Sequence, residues 1–162
     1  MSRKQANMPI YRELAQQPLR SIALEPPLSV TADTSLQAVV DTICSSDTDY
    51  VLVTKDEALA GIFTEHDLLT RAANPDGLPD VAVGEFMSPD PTVMDASRPI
   101  SDALDAMAKG RYRHLPISDG ERGCVGVLTS YDVLNFLAEL LPGSILNLPP
   151  RPHQTTRAPD GA

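Results

Sequence analysis

The chain contains the same threonine–aspartate spacing twice, at Thr64 and Asp67 and again at Thr129 and Asp132. A threonine hydroxyl beside free backbone N–H groups at the start of a helix forms a site for an anion such as phosphate. A carboxylate one turn into that helix could accept hydrogen bonds from both hydroxyls of a ribose, as acidic residues do in other nucleotide-binding folds. The pattern therefore predicts two equivalent sites for the sugar and phosphate of a nucleotide.

A second interpretation of the same residues needs no ligand. A threonine before a helix accepts a hydrogen bond from the third helical residue, and an acidic side chain at that position bonds back, as in a capping box. An aspartate also suits the positive end of the helix dipole. The cap is the simpler explanation of a single motif, whereas its recurrence in one structural setting favours nucleotide binding.

The two motifs belong to a unit that is written twice. "GIFTEHDLL", from Gly61, corresponds to "GVLTSYDVL", from Gly126, at a spacing of 65 residues. Upstream the spacing is 64, and "PLSVTADTSLQAVVDTI" corresponds to "PTVMDASRPISDALDAM". Such self-similarity indicates two copies of one supersecondary unit. We predict an N-terminal segment at 1–19, a first repeat at 20–76, a linker with the second repeat at 77–141, and a flexible C-terminal extension at 142–162.

Each repeat has the pattern β-α-β-β-α. The first helix shows apolar residues at i, i+3, i+4 and i+7, with Asp33 and Ser97 as candidate N-caps. The two strands after it are joined by a polar turn and should be antiparallel. A three-stranded sheet with helices on one face leaves an apolar face that the second copy would cover. We therefore predict an α+β fold of two repeats packed sheet to sheet with pseudo-two-fold symmetry, and one short helical turn at "VGEFM" in the linker.

Composition narrows the classes of function. Hydrophobic residues make up 42% of the 162 residues, which is enough for a core. A net charge of −9, with 4% aromatic residues and no Trp, disfavours nucleic acid as a partner. The chain has no signal-peptide pattern and no apolar run of about 20 residues, so we expect a cytoplasmic protein without a membrane segment. Cys44 and Cys124 are predicted to be buried.

Catalytic patterns are missing from the sequence. His66, His114 and His153 lack metal-ligand spacing such as H-x-x-x-H, and no G-x-S-x-G motif occurs. We predict that the chain is not an enzyme and holds no metal. A small hydrolase remains an alternative, which ATP turnover sensitive to His66 or His114 would reveal.

The repeated phrases, together with "RHLPI" and "FMSPDPTVMDASRPISDAL", resemble the tandem cystathionine-β-synthase (CBS) domain pair, or Bateman module, over roughly residues 20–141. The resemblance implies a regulatory protein, commonly a homodimer, that requires no cofactor and binds an adenosine-type ligand in two clefts. AMP, ADP or ATP are the expected ligands, with S-adenosylmethionine as a further candidate, and an unidentified regulated protein would read the rearrangement of the pair. The residues it implicates in nucleotide binding are Thr64, His66, Asp67, Thr92, Val93, Arg113, His114, Pro116, Thr129, Tyr131 and Asp132.

The first repeat departs from this family pattern. It has "SDTDYVLV" where the second has "GRYRHLPI", which aligns Asp47 with Arg111 and Asp49 with Arg113. Acidic residues in place of arginines should weaken anion binding nearby. We predict unequal clefts, the better one collecting Arg111, Arg113, Thr129 and Asp132. The sequence leaves open which cleft each arginine faces, and a solvated corner between helix and strand is the alternative for both arginines. The alternative function is a structural dimerisation or interaction module that binds no nucleotide and uses both motifs as caps alone.

Overall fold

The computed structural model describes residues 9–72, 78–120 and 123–140. The predicted β-α-β-β-α order appears in both repeats. In the first repeat the elements are β1 (Ser29–Thr31), α2 (Leu36–Cys44), β2 (Tyr50–Lys55), β3 (Ala58–Thr64) and α3 (Glu65–Asp67), which follow an N-terminal helix α1 (Pro9–Leu14). In the second repeat, after the linker strand β4 (Ser88–Pro89), they are β5 (Met94–Asp95), α4 (Ile100–Gly110), β6 (His114–Ser118), β7 (Cys124–Thr129) and α5 (Ser130–Leu140).

The strands form two sheets, in the orders β1-β2-β3-β4 and β5-β6-β7. The first strand of each repeat runs parallel to the second, and the following hairpin is antiparallel, as predicted. Strand β4 pairs antiparallel with β3. The sequence did not indicate this fourth strand, which makes the linker part of the first sheet.

The sheets pack face to face through a cluster that includes Tyr50, Leu52 and Ile62 of the first repeat and Val127 of the second. The equivalent residues Tyr50 and His114 meet there, with ring centroids 5.2 Å apart and planes inclined by 50°. A contact between equivalent positions lies close to a pseudo-two-fold axis. The helices cover the opposite faces of the sheets, where separate cores form around Phe63 and Leu128.

The segment that precedes each repeat packs against the other repeat. A 3₁₀ turn at Leu19–Ser21 contributes Leu19 to the core of the second repeat, and a 3₁₀ turn at Val83–Glu85 contributes Val83 to the core of the first. The Val83–Glu85 turn confirms the helical turn predicted at "VGEFM". The exchange of segments was not predicted, because it depends on contacts between residues far apart in sequence.

The predicted N-caps are wrong. Ser35 caps α2 by accepting a hydrogen bond from Ala38 N at 3.3 Å, and Pro99 precedes α4 without a side-chain cap. Ser97 instead donates from its backbone N–H and its hydroxyl to Asp95 Oδ1, at 2.8 and 2.5 Å. Because Ser97 closes the turn between strand and helix, α4 begins later than the sequence pattern suggested.

Further predictions concern the two cysteines, the C-terminal extension and a membrane segment. Cys44 is exposed, contrary to the prediction, because Ile43 packs against the core at the end of α2. Cys124 is half-buried, and this burial raises the pKa of its thiol. The predicted flexible extension at 142–162 and His153 lie outside the described residues. Over the ranges that the structure describes, no helix is both long and apolar enough to cross a membrane.

Candidate functional site

The threonine of each motif is the last residue of a hairpin strand. Thr64 lies opposite Tyr50, and Thr129 lies opposite His114. Because Tyr50 and His114 contact each other near the pseudo-two-fold axis, the hairpins bring both motifs towards the boundary between the repeats. The strand register therefore places two copies of one arrangement on either side of the axis.

Both motifs form a complete capping box. The backbone N–H and the hydroxyl of Thr64 donate to Asp67 Oδ2 at 3.0 and 2.8 Å, and Asp67 N donates to Thr64 Oγ1 at 3.2 Å. The matching distances for Thr129 and Asp132 are 2.7, 2.7 and 3.1 Å. The interpretation of these residues as caps is thus correct for both repeats, whatever else they do.

The backbone N–H groups at the two helix starts are largely occupied. Besides the groups in the capping boxes, Glu65 N donates to Asp49 O at 2.8 Å and Ser130 N donates to Arg113 O at 3.2 Å. In the first repeat α3 is only three residues long and continues as a π-helical turn at Leu68–Ala72, so its dipole is small. A phosphate bound beside Thr64 would have to be held mainly by side chains.

The second carboxylate oxygen distinguishes the two motifs. Asp67 Oδ1 accepts hydrogen bonds from Arg71 and, at 3.4 Å, from Ser88, and Arg71 also donates to Ser88 Oγ at 2.7 Å. Asp67 is only 5% exposed. Asp132 is partly buried, and no hydrogen-bond partner of its Oδ1 is found among the described residues. Phe136 and Leu24 stand at the positions equivalent to Arg71 and Ser88, and neither side chain can donate a hydrogen bond.

A cleft of about 770 Å³ opens at the motif of the first repeat. We call it the large cleft. Its far wall is the corner between α4 and β6, which belongs to the second repeat. Six of the residues predicted for nucleotide binding line it, namely Thr64, His66, Asp67, Thr92, Arg113 and His114.

A cleft of about 420 Å³ opens at the motif of the second repeat. We call it the small cleft. Its far wall is the equivalent corner of the first repeat, with Asp47, Asp49 and Tyr50. Five of the predicted residues line it, namely Arg113, His114, Thr129, Tyr131 and Asp132.

Of the four charged corner residues, Arg111 and Asp47 lie in different clefts, whereas Arg113 and Asp49 line both. Arg111 lines the large cleft with Thr64, and Asp47 lines the small cleft with Thr129. The prediction that one cleft collects Arg111, Arg113, Thr129 and Asp132 is wrong for Arg111. The physical reason is the pseudo-two-fold packing, which sets the corner of each repeat against the motif of the other.

Three residues on the boundary belong to both clefts. Asp49, Arg113 and His114 line each of them. His114 Nε2 lies 2.9 Å from Asp49 Oδ1, which joins the repeats by a hydrogen bond. A ligand in either cleft would therefore lie next to the same interrepeat contact.

Two predicted residues line neither cleft. Val93 is 45% exposed, and Pro116 is buried opposite Val127 in the β6–β7 hairpin. Arg111 is not among the eleven residues that the resemblance implicates in nucleotide binding, although it lines the large cleft. The feature that distinguishes Arg111 is its backbone, which ends α4 in the left-handed region at φ 55° and ψ 32°.

The described residues include no group of three or more His, Cys, Asp or Glu side chains placed to hold a metal ion. The clefts instead combine hydroxyls, carboxylates and guanidinium groups with apolar walls such as Ile62 and Val127. A guanidinium suits phosphate, and a carboxylate suits hydroxyl or ammonium groups. This chemistry fits a polar organic ligand.

Two curated proteins show the extent of the similarity in sequence. The meiotically up-regulated gene 70 protein of Schizosaccharomyces pombe is 30% identical over 117 residues, which cover 71% of this chain and 16% of that protein. The inosine-5'-monophosphate dehydrogenase of Nitrosopumilus maritimus is 29% identical over 116 residues, covering 71% of this chain and 23% of that enzyme. The chain thus spans less than a quarter of either relative.

Solved structures match most of the chain. An uncharacterized conserved protein from Pyrococcus horikoshii has a TM-score of 0.68 and 26% identity, covering 76% of this chain and 93% of its own. CBSX2 in complex with AMP has a TM-score of 0.64 and 21% identity, covering 76% and 97%. The CBS domain pair of protein MJ0100, in complex with 5′-methylthioadenosine and S-adenosyl-L-methionine, has a TM-score of 0.66 and 18% identity, covering 76% and 98%.

A family model locates the similarity in both halves of the chain. The model of the CBS domain matches residues 19–74 and again 83–139. These ranges begin at the two exchanged 3₁₀ turns and together include both hairpins and both motifs. The chain therefore belongs to the CBS domain family and contains two CBS domains in tandem.

Proposed function

We propose that the chain is a regulatory module that binds an adenosine nucleotide, AMP, ADP or ATP, in the large cleft. The observation that carries this proposal is that Arg111 and Arg113 of one repeat line the same cleft as Thr64 of the other. Its volume of about 770 Å³ lies in the range that small-ligand sites occupy. A guanidinium presents donors in a fork that matches phosphate. The complexes of CBSX2 with AMP and of the MJ0100 domain pair with adenosyl compounds support an adenosine-type ligand.

The backbone of Arg111 supports a use for its side chain. A left-handed conformation costs a residue with a Cβ about 1–2 kcal/mol, and helices that end in this way usually have glycine there. Arg111 adopts it at φ 55°, directly after Gly110. Strain of this kind is found preferentially at functional sites. An arginine at this place is consistent with selection for binding rather than for stability.

Calorimetric titration of the purified protein with AMP, ADP and ATP tests the proposal. We expect the double change Arg111→Gln with Arg113→Gln to weaken binding by tenfold or more, since a hydrogen bond to a charged group contributes about 1.5–3 kcal/mol. Arg98→Gln is the matched control, because Arg98 is exposed and forms an ion pair with Asp102 at 2.5 Å on α4. Absence of binding by any adenine nucleotide would overturn the proposal.

The regulatory part of the proposal needs a ligand that prefers one arrangement of the two repeats, and a partner protein that recognises this arrangement.

We propose that the protein acts as a cytoplasmic homodimer, without catalysis and without nucleic acid or membrane as partner. Sedimentation velocity with and without nucleotide tests the homodimer, which a monomer under both conditions would exclude. Hydrolysis of ATP above background by a pure sample would contradict the absence of catalysis.

The second candidate function is an interaction module without a nucleotide. The completeness of both capping boxes, with both oxygens of Asp67 occupied, favours it. Thermal unfolding with and without adenine nucleotides separates the two functions. A nucleotide-binding protein gains stability as the nucleotide concentration rises above Kd, whereas a pure interaction module shows no shift.

A further inference from the structure

We infer that the two clefts divide their ligands by charge. The large cleft holds the phosphate of a nucleotide, while the small cleft takes an adenosine-type nucleoside that lacks phosphate and prefers one with a positive charge. This inference rests on the proposed function, because it assumes that adenosine compounds bind between the repeats. It assigns a separate class of ligand to the small cleft.

Charge is the first observation behind the division. Three carboxylates, Glu25, Asp47 and Asp132, line the small cleft against the one guanidinium of Arg113. Asp49 also lines it and is hydrogen-bonded to His114. A phosphate entering this cleft would approach like charges, whereas a cationic group would approach opposite charges. The large cleft is also lined by carboxylates, but Glu65 and Asp90 are matched there by the guanidinium groups of Arg111 and Arg113, and Asp67 is bonded to Arg71.

The second observation is the state of the two motif carboxylates. Asp132 is held through Oδ2 by Thr129, at 2.7 Å from both the backbone N and the hydroxyl, and its Oδ1 has no partner in the described part of the chain. That oxygen is preoriented to accept a hydrogen bond from a sugar hydroxyl. Asp67 offers no such oxygen, because Arg71 and Ser88 occupy its Oδ1. Recognition of the sugar is therefore stronger in the small cleft, and recognition of phosphate is stronger in the large one.

The third observation is the shape and lining of the small cleft. Its volume of about 420 Å³ leaves less room for a polyphosphate than the 770 Å³ of the large cleft. Tyr50 and Val127 provide an apolar wall for a base, and Tyr131 at the same cleft is 68% exposed. An aromatic ring can stack on a base. The small cleft thus combines an apolar wall, a hydroxyl acceptor and negative charge.

Five probes test the division by calorimetry: ATP, AMP, adenosine, 5′-methylthioadenosine and S-adenosylmethionine. S-adenosylmethionine has a positively charged sulfonium and an amino-acid group, whereas 5′-methylthioadenosine lacks that group and its sulfur is a neutral thioether. Arg111→Gln changes only the large cleft. We expect it to lower the affinity for ATP by about three- to tenfold and to leave the affinity for S-adenosylmethionine unchanged. We expect the double change Asp47→Asn with Glu25→Gln to lower the affinity for S-adenosylmethionine by about the same factor and to leave the affinity for 5′-methylthioadenosine unchanged.

Asp132→Asn supplies an independent measurement on the sugar. The change keeps the size of the side chain, and we expect it to weaken adenosine and 5′-methylthioadenosine while ATP in the large cleft is unaffected. Far-UV circular dichroism checks that each variant keeps its fold. Competition between ATP and S-adenosylmethionine for one cleft, with Arg111→Gln weakening both, would overturn the division and leave the proposed function intact. Failure of all five probes to bind would instead overturn the proposed function.

Discussion

The two motifs of this protein have the same internal geometry and different surroundings. Each threonine and aspartate form the same three hydrogen bonds, with distances that agree within 0.3 Å or less. Around Asp67, however, Arg71 and Ser88 complete the hydrogen bonding of the carboxylate, whereas Asp132 has Phe136 and Leu24 at the equivalent positions. The motif alone therefore determines the cap, and its neighbours determine what remains for a ligand.

The corners of the two repeats, between the first helix and the second strand of each, differ in charge. Asp47 and Asp49 occupy the positions of Arg111 and Arg113, and the pseudo-two-fold packing sets each corner against the motif of the other repeat. The first motif thus faces the basic corner and the second motif faces the acidic one. Under the division of ligands proposed above, divergence at a few corner positions gives the two copies of the unit different ligand preferences.

Removing the motif carboxylates should produce the largest difference between the repeats. We expect Asp67→Ala to lower the free energy of unfolding by about 2–3 kcal/mol, because it removes a cap and leaves Thr64, Ser88 and the partly exposed Arg71 without their acceptor. Asp132→Ala should cost about 0.5–2 kcal/mol, the value of a cap alone. Urea denaturation followed by circular dichroism measures both. Equal losses would mean that the bonds of Arg71 and Ser88 add nothing to stability.

The glycine three residues before each threonine tests how closely the neighbouring segment approaches. A Cβ at Gly61 would collide with Met87 Sδ and lie 3.0 Å from Ser88 O, while one at Gly126 would lie 2.7 Å from Leu24 Cβ. We expect either change to alanine to lower the free energy of unfolding by about 1–3 kcal/mol. Gly126→Ala should be the more destabilising change, because Leu24 Cβ is bonded directly to the backbone and moves less easily than the end of the Met87 side chain. Urea denaturation checks the order, and a loss below about 0.5 kcal/mol for both would contradict the close approach.

The corner residues allow a test in which stability and binding change in opposite directions. Arg111→Gly removes the left-handed strain, so we expect the free energy of unfolding to rise by about 0.5–1 kcal/mol while the affinity for ATP falls. Asp47→Gly at the equivalent position is the control for stability, because Asp47 is not among the residues with positive φ and glycine should destabilise it slightly. Thermal unfolding and calorimetry measure the two effects. A destabilised Arg111→Gly protein would show that the side chain of Arg111 stabilises the fold.

The sequence was sufficient for features that depend on neighbours along the chain. The strands, the antiparallel hairpins and the Thr–Asp pairs follow from local pattern and from a repeat spacing near 64 residues. It was not sufficient for the exchanged segments around Leu19 and Val83, or for the cleft that Arg111 enters, because both depend on how the two repeats pack. The occupancy of Asp67 Oδ1 likewise depends on Ser88, which lies 21 residues away in sequence.

The smallest expected effect concerns Tyr50, which contacts His114 at the axis where the repeats meet. Burial raises the pKa of Tyr50 above its ordinary value of 10.0, because the ionised phenolate is poorly solvated between the sheets. The unfolded chain then loses the phenolic proton at a lower pH than the folded chain does. The contribution of Tyr50 to stability is therefore complete below pH 10 and is lost as the pH rises through the folded pKa. Tyr50→Phe cannot ionise, so its free energy of unfolding should decline less steeply above pH 10 than that of the wild type. Parallel slopes in urea denaturation series at several pH values would show that the ring is not isolated from water, and that the contact across the axis opens in solution.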